Sequence, residues 1–599
     1  MTDDIRAYLE IRTAAPANFS PDGGRLLVSS DLTGTAQLYR LDLGPTGGDG
    51  LLQLTDFDEP VGGGYLPHTE RLLVAMDTGG NERHQLYLAD DEPAAPLADL
   101  VVDPDFIHSP GGITRDGSQL AYATNRRNGT DFDVWVRDMA SGDEDCVYAP
   151  GSWAGAAGFS PRGTYLATSE LTEESGDNRV HLVDLETRSA VEVAPHEESA
   201  GVGAPAWLPD ESAFFFATSV DRDTTAIARY EPRAGTWRYV LTSEWDLACG
   251  VDWTGAHLLV VANTDGISRA RLHDPETLEV AAQVPLPGDG VAGSFTFSRD
   301  GRYLAYAYTS PLVPGDTWRY DTVTGESARL TTSPNQVDPA AFVEPELVRF
   351  GGVGGVEVPA FVFRPRGERP GKRPVVVVIH GGPESQYRPT FTPLTQYLVA
   401  HGFAVIAPNV RGSTGYGKAY EHLDDGERRM DAIADLASLH DWIASTDDLD
   451  PDRAALYGGS YGGYMVLAGL AFQPDRWAAG VDIVGMSSLV TFLENTSVYR
   501  RRFREREYGF LDTDRDFLVH ASPITHIDDL RAPLFIIHGA NDPRVPLGEA
   551  EQMHAVLKAK GVRTELLVYP DEGHGLARLA NRVDAYPKAA AFLAEVLRP

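Results

Sequence analysis

Three short stretches carry residue types that can break an acyl bond. Ser460 lies in Gly458-Gly459-Ser460-Tyr461-Gly462-Gly463, Asp542 in His538-Gly539-Ala540-Asn541-Asp542, and His574 in Asp571-Glu572-Gly573-His574-Gly575. A serine hydroxyl is unreactive at its own pKa and needs a base, which a neutral imidazole supplies near pH 7. A carboxylate on the other ring nitrogen fixes the tautomer and stabilises the imidazolium. Ser460 as nucleophile, His574 as base and Asp542 as orienting acid therefore make one catalytic set. His380-Gly381-Gly382-Pro383 adds a glycine-rich loop. An N–H of Gly381 or Gly382, together with that of Tyr461, can hold a developing oxyanion. The sequence leaves both glycines open as donors.

These residues need elements to hold them. Arg453–Tyr457 reads as a short buried strand and Tyr464–Leu470 as an apolar helix. A G-x-S-x-G turn between a strand and a helix is a nucleophile elbow, in which glycines permit a sharp, close-packed bend. The first N–H groups of the helix then face any charge forming at the serine. Pro374–Ile379 is a β-branched run suited to a central strand buried on both faces, and it ends at His380. Strands at 403–407, 480–484, 533–537 and 564–569 alternate with helices near 391–401, 429–444, 548–560 and 585–597. Such alternation predicts a mostly parallel sheet covered on both faces, with its site beyond the carboxyl ends of the strands. The Asp542 and His574 motifs follow two of those strand ends. The chain order Ser, Asp, His is that of the α/β-hydrolases, so residues 341–599 are expected to form an α/β-hydrolase catalytic domain.

Residues 1–340 follow a different grammar. Copies of one unit begin at Phe19, Tyr65, Ile113, Phe159, Trp207, Trp253 and Phe297, 44–48 residues apart. Each places an aromatic or aliphatic residue before a polar turn, then a hydrophobic strand and a second strand. The clearest copies are FSPDGGRLLVSS, FSPRGTYLATSE and FSRDGRYLAYAY. A period in the mid-forties with several short strands per unit predicts an all-β propeller, and seven units predict seven blades. The histidines scattered here, His181 and His257 among them, read as strand residues rather than ligands. The segment Asp4–Glu10 could dock as a helix on either domain.

The 599 residues exceed one hydrophobic core, in keeping with two domains. Net charge is −36 and mean hydropathy −0.23. That acidity argues against nucleic acid or anionic membrane as a partner. Cys146 and Cys249 are the only cysteines and lack metal-ligand spacing, so neither a disulfide scaffold nor a metal centre is expected. No cofactor fingerprint occurs. The acidic N-terminus lacks the pattern of a signal peptide, and the run Val375–Ile379 is too short to span a bilayer. The expectation is a soluble cytoplasmic protein, with a homo-oligomer left open.

A seven-bladed propeller followed by this hydrolase domain resembles the prolyl oligopeptidase family of serine peptidases. The motifs HGGP (380–383), NVRGSTGYG (409–417), GGSYGGYM (458–465), SPITH (522–526), HGANDPRVP (538–546) and DEGHG (571–575) carry the resemblance, which is nearest to the acylaminoacyl-peptidase branch. It implies short peptide substrates, with the propeller restricting access. It also implies a place for Arg544 near the substrate pocket, and a primary specificity pocket lined by the segment after Phe492. That segment, Tyr499–Glu507, packs five arginines into a strongly acidic chain. Guanidinium forks bind carboxylates bidentately, so one or two of Arg500, Arg501 and Arg502 are expected to hold a peptide's C-terminal carboxylate, giving carboxypeptidase-type cleavage. A solvated helix face with Glu505 and Glu507 pairing the arginines is the plainer alternative. An acylaminoacyl peptidase would instead need an apolar pocket for a blocked N-terminus. An esterase or lipase would share the triad, although a propeller would fence off an interface-bound lipid. A non-catalytic propeller scaffold would require the triad to be accidental.

Overall fold

The computed structural model describes residues 4–44, 47–367 and 371–598. Seven four-stranded antiparallel sheets occupy Ala14 to Arg329, each built from strands consecutive in sequence. The residue that opens each repeat sits at the end of the innermost strand. Phe19, Tyr65, Ile113, Phe159, Trp207 and Phe297 each close such a strand, and Trp253 lies two residues beyond Val251. In three blades the polar turn that follows shares one hydrogen-bond scheme. In the first blade the Ser20 hydroxyl donates to Asp22 Oδ1 (2.6 Å), and in the last Ser298 donates to Asp300 Oδ1 (2.6 Å). The glycine after each aspartate takes positive φ, 73° at Gly23 and 71° at Gly301, which explains the recurring D-G. Among the described residues the first and last blades each keep their own four strands. The ring closes by packing Phe19, Leu26 and Leu41 against Tyr303, Ala305 and Leu330.

The catalytic sheet has eight strands: β1 (Glu346–Gly351), β2 (Glu357–Phe363), β3 (Arg373–Ile379), β4 (Ala404–Pro408), β5 (Leu449–Gly459), β6 (Ala479–Ile483), β7 (Leu534–Gly539) and β8 (Thr564–Tyr569). Their order is β1-β2-β4-β3-β5-β6-β7-β8, antiparallel at β1/β2 and β2/β4 and parallel elsewhere. Two apolar cores cover its faces. One holds Ile433, Leu436, Tyr464, Met465 and Phe492, and the other Leu398, Val399, Phe592 and Leu593. The molecule is thus a seven-bladed β-propeller followed by an α/β-hydrolase domain.

One element differs from the sequence reading, and one docking choice that the sequence leaves open is resolved. The last helix runs Leu579–Leu597, six residues longer at its start than the expected 585–597, and passes through Pro587. Proline removes one intrahelical hydrogen bond, but Ala585, Ala589, Ala590 and Phe592 are buried on the sheet, and that packing holds the helix across it. The N-terminal helix α1 (Ile5–Leu9) packs on the catalytic domain although it precedes the propeller in the chain. Ile5 and Leu9 join the Leu398/Phe592 core, and Tyr8 meets Phe342 and Tyr397 edge-on. Among the described residues no helix is long and apolar enough to cross a membrane.

Candidate active site

Ser460 stands between β5 and helix α2 (Tyr461–Phe472), at φ 58° and ψ −119°. That conformation is strained for a residue with a side chain, and its surroundings enforce it. The Ser460 N–H donates to Ile483 O (2.8 Å). A Cβ at position 458 would lie 2.4 Å from Gly462 O, and one at 462 would lie 2.2 Å from Ile379 O. Glycine at both places lets α2 cross the ends of β3 and β5 at contact distance. Tyr461, the first residue of α2, is fully buried. Its hydroxyl donates to Asp424 Oδ2 (3.3 Å), and the Arg429 guanidinium lies 5.0 Å above its ring. Arg429 is itself buried between Asp424 (2.7 Å) and Glu507 (3.5 Å) and covers the Tyr508 ring. The N-terminus of the elbow helix is thereby anchored by a charged, fully enclosed network.

The structure brings Ser460, His574 and Asp542 together. His574 Nδ1–H donates to Asp542 Oδ2 (2.7 Å), and the Ser460 hydroxyl meets Nε2 at 2.9 Å. The other carboxylate oxygen, Asp542 Oδ1, accepts the N–H groups of Arg544 (2.8 Å) and Val545 (3.0 Å). Gly381 lies against Ser460, its Cβ position 3.5 Å from Ser460 Cβ, whereas the Cβ position of Gly382 meets Glu384 and Ser385. His380 is half-buried and hydrogen-bonded through Nε2 to Ser413 Oγ (2.9 Å), and desolvation pushes its pKa down. Phe492 sits in the core and meets Tyr508 edge-on, with ring centroids 5.7 Å apart.

The arginine segment forms one helix, α3 (Val498–Tyr508), and its guanidinium groups divide the work. Arg501 donates to Glu505 (3.1 Å) and Arg504 to Glu507 (2.7 Å). Arg502 pairs with Glu173 of the propeller, and Arg506 donates to the carbonyls of Thr172 and Glu174 (3.0 Å each). Arg500 alone among the five makes no side-chain hydrogen bond to the described residues. Its nearest acid is Glu82 at 4.0 Å, and its side chain is 18% exposed. Arg544 Nε reaches the same Glu82 at 2.5 Å. Of the three arginines expected to meet a carboxylate, only Arg500 is therefore uncommitted.

Sequence reasoning found nothing catalytic in the repeats, yet the propeller supplies part of this site. A cavity of about 320 Å³ beside His574 is lined by Glu59, Asp77 and Glu82 of the second blade region and by Asp571, Glu572 and Arg578. Gly80 is pressed against Gly573, and Asn541 Nδ2 donates to Gly79 O (2.9 Å). The motif Gly79-Gly80-Asn81-Glu82 carries no catalytic signature, and only docking of the two domains gives it a role.

Under the elbow, Asp482 is fully buried, and among the described residues only the Gly485 N–H offsets the cost of its charge. Burial, with Glu549 nearby, pushes its pKa up to about 7. An aspartate in the unfolded chain ionises near pH ~4, so the fold holds a proton that the unfolded chain has lost. Asp482 therefore makes stability fall as pH rises from about 4 to about 7. Asp482→Asn is expected to remove that slope. Thermal unfolding at pH 5 and pH 8 should show the variant gaining on wild type at the higher pH, and parallel curves would contradict this.

Comparison with known proteins agrees with both halves of this architecture. Residues 389–599 match the family model described as prolyl oligopeptidase family, and residues 63–333 match that of the prolyl oligopeptidase N-terminal beta-propeller domain. Dipeptidyl aminopeptidase BIII of Pseudoxanthomonas mexicana is 28% identical over 559 residues, 89% of this chain and 79% of that protein. Dipeptidyl peptidase family member 6 of Caenorhabditis elegans is 35% identical over 229 residues, 37% of this chain and 31% of that protein. A solved prolyl endopeptidase has the same fold, with TM-score 0.86 at 20% identity over 99% of this chain and 91% of that one. With the propeller and the hydrolase domain each matched, the chain belongs to the prolyl oligopeptidase family of serine peptidases.

Proposed function

We propose that the protein hydrolyses short peptides through an acyl-enzyme on Ser460, and that Arg500 with Arg544 holds the free C-terminal carboxylate of the substrate. His574 Nε2 takes the Ser460 proton as Oγ attacks the scissile carbonyl, and the same nitrogen then protonates the leaving amine. Asp542 keeps Nδ1 protonated and stabilises the imidazolium. The N–H of Tyr461 and one from the Gly381–Gly382 pair receive the oxyanion. Water then hydrolyses the acyl-enzyme by the reverse sequence.

The observation that carries the carboxylate reading is Arg500. A guanidinium largely out of water, without a hydrogen-bond acceptor among the described residues and beside a second guanidinium, is suited to an anion. The names of the two dipeptidyl relatives point to the other end of a peptide. That reading would need a carboxylate free to take an ammonium, and the acids lining the His574 cavity are engaged. Glu82 holds Arg544, Glu59 and Asp571 pair with Arg578, Asp77 accepts the Glu82 N–H, and Glu572 accepts those of Ala577 and Arg578.

One short peptide in free, N-acetylated and C-amidated forms tests the proposal. Amidation removes a charge-assisted interaction of about 1.5–3 kcal/mol, so kcat/KM is expected to fall ~10-fold to ~100-fold, mostly through KM. Acetylation is expected to leave it within a few-fold. Equal turnover of the free and amidated forms would sink the arginine assignment.

A further inference from the structure

We infer that Glu82, carried by the propeller, is a specificity-determining residue of this site: its carboxylate occupies the Arg500–Arg544 pair in the free enzyme, and a substrate's C-terminal carboxylate binds by displacing it. The inference rests on the carboxylate reading above and concerns what that reading leaves unexplained, namely why an acid already sits between the two arginines.

Glu82 does not reach the catalytic domain by chance of side-chain rotation. It lies in the loop between the blade strands Arg71–Met76 and Gln85–Asp90, at φ 60°. The Glu82 N–H donates to Asp77 Oδ2 (2.7 Å), and the Gly79 N–H to Glu59 Oε1 (2.9 Å). The loop is also fixed to the two catalytic loops. Asn541, beside Asp542, holds the Gly79 carbonyl, and a Cβ on Gly80 would lie 2.4 Å from the Gly573 nitrogen, beside His574. The backbone that presents Glu82 is thus held by the same loops that present the triad.

Its carboxylate is shared unevenly. Arg544 Nε is at 2.5 Å, while Arg500 Nη1 stands at 4.0 Å and makes no hydrogen bond to the described residues. Two guanidinium groups and one carboxylate leave a charge of +1. Arg504, on the same helix as Arg500, adds to the positive field, and Tyr499 is the other titratable group against Arg500. The cluster can therefore accept one more anion, or exchange the one it has. Exchange also serves turnover. Two bare arginines would retain the carboxylate of a released product, and a tethered acid at high local concentration competes it off.

Glu82→Gln keeps the shape and removes the charge. The test compares wild type and this variant on one peptide with a free and with an amidated C-terminus, beside thermal unfolding and inhibition by N-acetylglycine, a small carboxylate probe. The expected result is a KM for the free peptide at least ~3-fold lower in the variant. The ratio of KM for the amidated to the free form should widen by the same factor, and N-acetylglycine should inhibit more tightly. If amidation weakens wild-type turnover but Glu82→Gln leaves both the ratio and the inhibition unchanged, the inference fails while the carboxylate reading stands. If the variant raises KM for the free peptide, Glu82 only positions Arg544, and the inference fails. A rise confined to peptides with a free amino terminus would make Glu82 an ammonium receptor and overturn it too. If wild type treats free and amidated peptides alike, both readings fall. Should Glu82→Gln unfold early, Glu82→Asp provides a second variant. Its shorter side chain retreats from Arg500 while keeping the charge, and the ratio is expected to move in the same direction. An unchanged or narrower ratio would count against displacement.

Discussion

Replacing Ser460 with alanine is expected to lower kcat on a short peptide by roughly 10⁶-fold. The size follows from how the site is built. In the proposed mechanism the Ser460 hydroxyl, 2.9 Å from His574 Nε2 and presented by a strained backbone, is the nucleophile, and alanine removes it. The arginines proposed to bind the carboxylate lie on α3 and after Asp542, so peptide affinity should survive. Titration of the variant with a non-hydrolysed peptide, beside single-turnover kinetics, separates the two effects. A variant that loses binding together with turnover would mean that the elbow, rather than the hydroxyl, had been damaged.

Asp542→Asn is expected to cost roughly 10⁴-fold in kcat, with KM little changed. The hydrogen bonds around this residue supply the reason. Asp542 Oδ1 accepts two backbone N–H groups, from Arg544 and Val545, and Oδ2 accepts His574 Nδ1–H. In asparagine the amide oxygen must stay with the two N–H donors. That turns the NH₂ toward Nδ1, which then has to accept, so the proton moves to Nε2. An imidazole protonated at Nε2 cannot take the proton of Ser460. The variant should fold normally, and nitrogen NMR of His574 should report the exchanged tautomer. A loss of less than tenfold would show that His574 does not depend on Asp542 for its tautomer.

Local chemistry decided which parts were legible in the sequence. The elbow was readable because its cause is local: Gly458 and Gly462 are needed where an added Cβ would strike the neighbouring backbone. The blades were readable because the polar turn recurs at a fixed spacing, and in three of them an aspartate takes a serine or threonine hydroxyl ahead of a positive-φ glycine. What the sequence hid depends on contacts hundreds of residues apart. Arg502 finds Glu173 and Arg544 finds Glu82 only once the propeller docks on the hydrolase domain. The five arginines look alike along the chain, and it is the partners of four of them that single out Arg500. The N-terminal helix is equally mute in sequence. Its apolar residues suit either domain, and the exposed edge of the Leu398/Phe592 core settles the choice.

The central claim, that Ser460 is a nucleophile activated by His574 and Asp542, is tested most directly by covalent labelling with a fluorophosphonate. The reagent forms a stable phosphonyl ester only on an activated serine. Mass spectrometry of the digested protein is expected to place one phosphonyl group on Ser460, with peptidase activity lost in proportion to labelling and labelling much slowed in Asp542→Asn. Activity that persists after Ser460 is fully modified, or a label on another residue that abolishes activity, would contradict the account.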